Sequence, residues 1–96
     1  MSKKKIKILQ TNLFSKKIKK LSKKQKTDLD KAVKEIVADP QIGQEKRGDL
    51  LGVYVHKFKS SAQLLLLAYE WDEESRTLLM IGVHENFYRD LKKNKK

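Results

Sequence analysis

Leu64-Leu65-Leu66-Leu67-Ala68-Tyr69 is an unbroken apolar run with no polar position to give it an outside face. A half-exposed strand alternates apolar with polar residues, whereas a strand covered on both sides reads as a continuous run. The stretch therefore predicts the central strand of a sheet, over residues 63–71. Upstream, Val53-Tyr54-Val55-His56-Lys57-Phe58-Lys59 has period two and reads as a neighbouring strand, joined through a turn at Ser60-Ser61-Ala62. Downstream, the polar residues 72–76 read as a second turn, and a third strand follows over residues 77–83. Strands joined by such short links predict an antiparallel meander.

The N-terminal half supplies the layer that covers this sheet. Residues 3–11 open with Lys5-Ile6-Lys7-Ile8, whose alternation predicts a strand with Ile6 and Ile8 inward. Thr11 or Asn12 can cap a helix on which Phe14, Ile18 and Leu21 form one stripe, its other faces being lysine. Ser22, three residues before Gln25, opens a second helix with a capping-box signature. Leu29, Ala32, Val33, Ile36 and Val37 follow helical spacing until Asp39-Pro40 ends the helix. Residues 41–51, with Gly43 and Gly48, read as a loop that lacks any phosphate-binding glycine motif. Phe87 and Leu91, four apart, pin a short C-terminal helix back onto the sheet, and residues 92–96 read as a frayed lysine tail. The fold class expected is α+β: an N-terminal strand, an antiparallel helical hairpin, a three-stranded antiparallel meander completing a twisted sheet, and a short C-terminal helix.

With 96 residues, a single domain is expected across residues 1–96. No cysteine is present, which removes disulfides, thiolate nucleophiles and cysteine-ligated zinc, and suits a reducing cytoplasm. No apolar stretch approaches the ~20 residues of a membrane span, and no apolar segment follows the first lysines as a secretory signal requires. No metal site and no cofactor are expected. Twenty-three Lys and Arg against 12 Asp and Glu give a net charge of +11, and residues 1–26 hold eleven lysines and no acid. Solubility calls for a net charge of only about 2–8, so the excess points to a polyanionic partner: nucleic acid, or an acidic protein that masks the surface.

The candidate site is the corner where the last strand stops. After Leu78-Leu79-Met80-Ile81 comes Gly82, then Val83 and His84, then the short helix with Phe87, Tyr88 and Arg89. A strand end and a helix start aim groups at a ligand from rigid backbone, and His84 is the side chain there suited to move a proton near neutral pH. Glu85 and Arg89, four apart, fit a surface ion pair as well as a base and a phosphate clamp. His56 is a weaker candidate, because sharing a face with Tyr54 and Phe58 would make it a packing residue. A partly uncovered sheet face lined by strand lysines and the His84 corner is expected.

The order of elements, Lys46-Arg47-Gly48-Asp49-Leu50 leading into the strand at 53–59, the leucine-rich strand ending in Tyr69, and the closing strand into Gly82-Val83-His84 together resemble the RelE/ParE superfamily of bacterial type II toxins. The resemblance covers nearly the whole chain. It implies a small cytoplasmic toxin neutralised by a cognate antitoxin, meeting operator DNA only through the antitoxin complex. The RelE-like branch implies metal-free cleavage of mRNA on the ribosome, halting translation; the ParE-like branch implies inhibition of DNA gyrase without cleavage. Gly82, His84 and Tyr88 match a YafQ-like pattern, which implies that His84 is a general acid or base and that Tyr88 stacks on or orients a base, with Glu85 a further catalytic candidate. Lys57, Lys59, Arg89, Lys46 and Arg47 would then offset phosphate charge. RelE-like members carry an arginine on the next strand, where this chain has Gln63 and Leu64, and YafQ-like members carry further histidines where residues 41–51 have none.

Overall fold

The structure, a computed structural model, describes residues 5–94. Its strands are β1 (Lys7–Gln10), β2 (Gln44–Glu45), β3 (Tyr54–Ser60), β4 (Gln63–Trp71) and β5 (Ser75–Gly82). They form one sheet in the order β1-β5-β4-β3-β2, antiparallel except for the parallel pair β1–β5. Helices α1 (Asn12–Ile18) and α2 (Lys23–Ala38) cover one face, and α3 (Phe87–Asn94) lies on the other.

The apolar run on β4 is buried on both faces from Leu65 to Tyr69, while Leu64 at its start is 43% exposed. Leu65, Leu67 and Tyr69 pack with Phe14, Leu29, Ala32 and Ile36 beneath the helical hairpin. Leu66 and Ala68 pack with Leu50, Val53, Val55, Phe87 and Leu91 on the opposite side. Each fully buried leucine contributes about 1.5–3 kcal/mol relative to exposure, so this strand carries both cores.

Local signals fix the helix ends. Thr11 caps α1 by accepting the Phe14 N–H at 3.1 Å, and its hydroxyl donates to the Leu79 carbonyl at 2.9 Å, tying the helix start to β5. At α2, Ser22 Oγ accepts from Gln25 N at 3.1 Å while Gln25 Oε1 accepts from Ser22 N at 3.0 Å, which is the expected capping box. Between Ala68, paired with Met80, and Tyr69, paired with Leu78, Leu79 is one residue extra on β5. Beyond this bulge Met80 turns to the α3 side and Ile81 to the helical side.

Several expectations change. Ile8 does not point inward: it is 50% exposed and Leu9 is 52% exposed, because β1 is an edge strand outside both cores. Residues 3 and 4 of that expected strand lie outside the described residues. The loop at 41–51 contains a 3-10 turn at Pro40–Ile42, the strand β2 and a second 3-10 turn at Gly48–Leu50. Gly43 N donates to the Tyr69 hydroxyl at 3.0 Å, and that hydroxyl donates to the Pro40 carbonyl at 2.6 Å. Arg76 belongs to β5 rather than to a turn and is 4% exposed. Its guanidinium donates to the Ile36, Val37, Asp72 and Ser75 carbonyls at 2.7–2.9 Å and lies over the Trp71 ring. Two of those carbonyls belong to the last turn of α2, where no helical N–H remains to pair them. Lys92 and Lys93 continue α3 instead of fraying, and residues 95–96 lie outside the described residues.

Candidate functional site

The corner after β5 is built by anchoring what lies beyond it. Phe87 and Leu91 are buried in the second core, so α3 is held one turn after the strand ends. The chain gets there through a tight bend in which Phe87 N donates to the His84 carbonyl at 3.1 Å and Asn86 takes a left-handed φ of 63°. Asparagine tolerates that conformation better than most residues. With Phe87 pointing inward, Tyr88 is left half-buried at the rim and His84 exposed.

The His84 ring meets the Tyr88 ring edge-on, with centroids 5.8 Å apart. Lys46 Nζ lies over the Tyr88 ring, 5.1 Å from its centroid, and donates to Gln44 Oε1 at 3.1 Å. The Lys46 backbone N–H bonds to the Val53 carbonyl at 2.8 Å, which fixes where the side chain starts. An imidazole, a phenol and an ammonium from three separate segments thus converge on one surface. Such a set can move a proton, present an aromatic ring to a planar group and offset negative charge.

The strand lysines flank this trio. Lys57 and Lys59 continue the alternation of Val53 and Val55, which face the α3 side, and both are exposed. Lys57 pairs across Leu66 to Gly82, two strand spacings or about 10 Å from the corner. Arg47, next to Lys46, is exposed.

Three sequence candidates fall elsewhere. His56 lies on the helical face, where its Nε2 pairs with Glu35 Oε1 at 3.0 Å and its ring stacks on Phe58, so it ties β3 to α2. Arg89 reaches Asp90 at 3.6 Å and is otherwise exposed. Glu85 lines a cleft of about 260 Å³ that opens at the end of the sheet between the α1–α2 corner and α3. Lys17, Lys20, Gln25 and Gln63 also line it, and Lys17 pairs with Asp90 at 3.7 Å. The sequence carries no signal for this cleft, because its walls come from five elements and the corner and meet only in the fold. Among the described residues, no three His, Asp or Glu side chains gather in a metal-holding group, and no helix is long and apolar enough to cross a membrane.

Comparison with known proteins adds a family. Residues 8–92 match the family described as ParE-like toxin of type II bacterial toxin-antitoxin system. The fold is similar to a chain in the intact Escherichia coli RelBE toxin-antitoxin complex, with a TM-score of 0.66 and 22% identity over 81% of this chain and 95% of that one. It is also similar to the conserved hypothetical protein HP0894 from Helicobacter pylori, with a TM-score of 0.54 and 18% identity over 83% of this chain and 96% of that one. No curated protein sequence matches significantly.

Proposed function

Because the chain belongs to the ParE-like toxin family of type II toxin-antitoxin systems, we propose that it arrests growth by cutting mRNA on the ribosome, with His84 as the proton-transfer group. The observation that carries this is the exposed His84 imidazole edge-on to Tyr88, with Lys46 over the Tyr88 ring. In the reaction, the 2′-oxygen of one nucleotide bonds to the adjacent phosphorus and the bond from phosphorus to the 5′-oxygen breaks. The products are a 2′,3′-cyclic phosphate and a free 5′-hydroxyl. His84 takes the proton from the 2′-hydroxyl or delivers one to the departing 5′-oxygen. Tyr88 orients a neighbouring base by stacking, and Lys46, Lys57 and Lys59, with Arg47 and Arg89 at the margins, balance the charge that grows on the phosphate oxygens. The partner in the cell is an antitoxin whose acidic segment masks this basic face, and operator DNA is met only through that complex. The site of action is the cytoplasm.

Primer extension on a reporter mRNA after induction tests the proposal. His84→Ala should lose cleavage by about 10²–10⁴-fold, the usual range for a general acid or base, and should lose growth arrest while still binding its antitoxin. Full toxicity of that variant removes the proposal.

A second function is favoured by the family description itself and by the surroundings of His84: its ring contacts Tyr88 but no second proton-transfer group among the described residues. In it the chain blocks DNA gyrase without cutting RNA. Double-strand breaks and intact reporter mRNA after induction, both insensitive to His84→Ala, would identify it.

A further inference from the structure

The cleft at the end of the sheet is not used by the proton-transfer chemistry, yet it shares a wall with the corner. Gly82, Val83 and Glu85 line it, and His84 lies between the last two. Consecutive Cα atoms are 3.8 Å apart, so the backbone that carries His84 borders the cleft. Its floor is apolar, with Leu65, Ile81 and Val83. At about 260 Å³ it falls just under the ~300–1,000 Å³ of pockets for drug-sized molecules, which suits a single planar ring.

The rim is chemically specific. The Oε1 of Gln63 accepts from Gln25 Nε2 at 2.9 Å, so the Gln63 amide hydrogens are the groups it has to offer a ligand. Glu85, exposed and in no ion pair among the described residues, offers a carboxylate acceptor on the same cleft. Lys20 stands on the same rim, and Lys16, Lys19, Lys23 and Lys26 crowd the adjoining helix corner, none of them ion-paired among the described residues.

We infer that this cleft holds one base of single-stranded RNA, adjacent to the nucleotide cut at His84, and prefers a base with an exocyclic amine. The apolar floor takes the face of the base, the lysines take the flanking phosphates, and the Glu85 carboxylate with the Gln63 amide reads the edge. Cytosine and adenine place an amine donor next to a ring acceptor, which matches a carboxylate and an amide donor; uracil places a carbonyl where the amine would be. An acidic peptide would satisfy the floor and the lysines but would bring its carboxylates against Glu85. The inference rests on RNA being the substrate, and deepens that proposal by adding a site of base selection.

Fluorescence anisotropy with labelled eight-nucleotide oligo(C), oligo(A) and oligo(U) tests it, using His84→Ala protein so that binding is read without cutting. Oligo(C) and oligo(A) should bind about tenfold more tightly than oligo(U). Gln63→Ala with Glu85→Gln should bring the three together. Lys20→Ala should weaken all three alike and reduce the salt slope by about 0.7, the value for one phosphate contact on a single strand. Equal binding of the three oligonucleotides by the starting protein overturns the inference, as does a preference that the cleft variants leave unchanged. It is overturned too if Val83→Arg abolishes binding of a leucine–glutamate peptide and leaves RNA binding unaltered. Base preference in vitro without mRNA cleavage in cells keeps the cleft and removes the proposed reaction, and cleavage without base preference does the reverse.

Discussion

At Gly43 a methyl group in place of hydrogen would stand 2.6 Å from the Tyr69 hydroxyl and 3.1 Å from the Val55 carbonyl carbon. That close approach lets the Gly43 N–H and the Pro40 carbonyl share one phenol, which is buried where β4 passes beneath the end of α2. Tyr69→Phe keeps the ring but leaves both backbone groups unpaired, and should cost about 1–3 kcal/mol in denaturant unfolding. Arg76 makes a stronger case, since its buried guanidinium is matched by carbonyls at the negative end of α2. Arg76→Met should cost about 3 kcal/mol by the same measurement, given that hydrogen bonds from a charged donor are each worth ~1.5–3 kcal/mol. The sequence hides both devices. Arg76 sits among polar residues that read as a turn, and only the long-range approach of α2 shows that it points inward.

Among the elements, those with signals inside their own span are legible and those defined by a distant partner are not. The capping box and stripe of α2 read correctly because helix periodicity and caps are local. β2 has two polar residues and exists only by pairing with Tyr54 and Val55. β1 alternates as an inward-facing strand would, but alternation cannot report that the strand stands at an edge. The corner itself was readable, since an apolar run stopping at Gly82 and a pair of apolar residues four apart are both local. What α3 contributes is placement. Phe87→Ala should cost about 3–5 kcal/mol as a buried aromatic truncation, and should release Tyr88 from its position beside His84. Thermal denaturation reads the first effect, and aromatic NMR shifts of Tyr88 read the second. The cleft escapes any element-by-element scan, because Gln25 and Gln63 lie 38 residues apart and are brought together by a hydrogen bond that forms in the fold.

For the whole molecule, charge and pH act together. Asp28 lies below its ordinary value of 3.8 because it accepts from the Ser60 hydroxyl and from Lys24. Asp72 lies below it because it accepts from the Glu74 N–H and from Ser75. The unfolded chain binds these protons at higher pH than the folded one, so the stability they give is present above the ordinary aspartate value and is lost as pH falls through the folded values. The melting temperature should drop on acidification below about pH 4, and Asp72→Asn should flatten the drop. Tyr69 behaves oppositely: burial raises it above 10.0, so stability declines as pH rises past that value, and Tyr69→Phe should remove that part of the alkaline loss. The single surplus residue at Leu79 sets the orientation of everything after it. Were Leu79 instead taken into the ladder opposite Ala68, Met80 would move opposite Leu67 and the two sides of the strand would be exchanged from there to Gly82. The direction in which the end of this strand presents its residues is therefore inherited from one residue left out of the ladder several positions earlier.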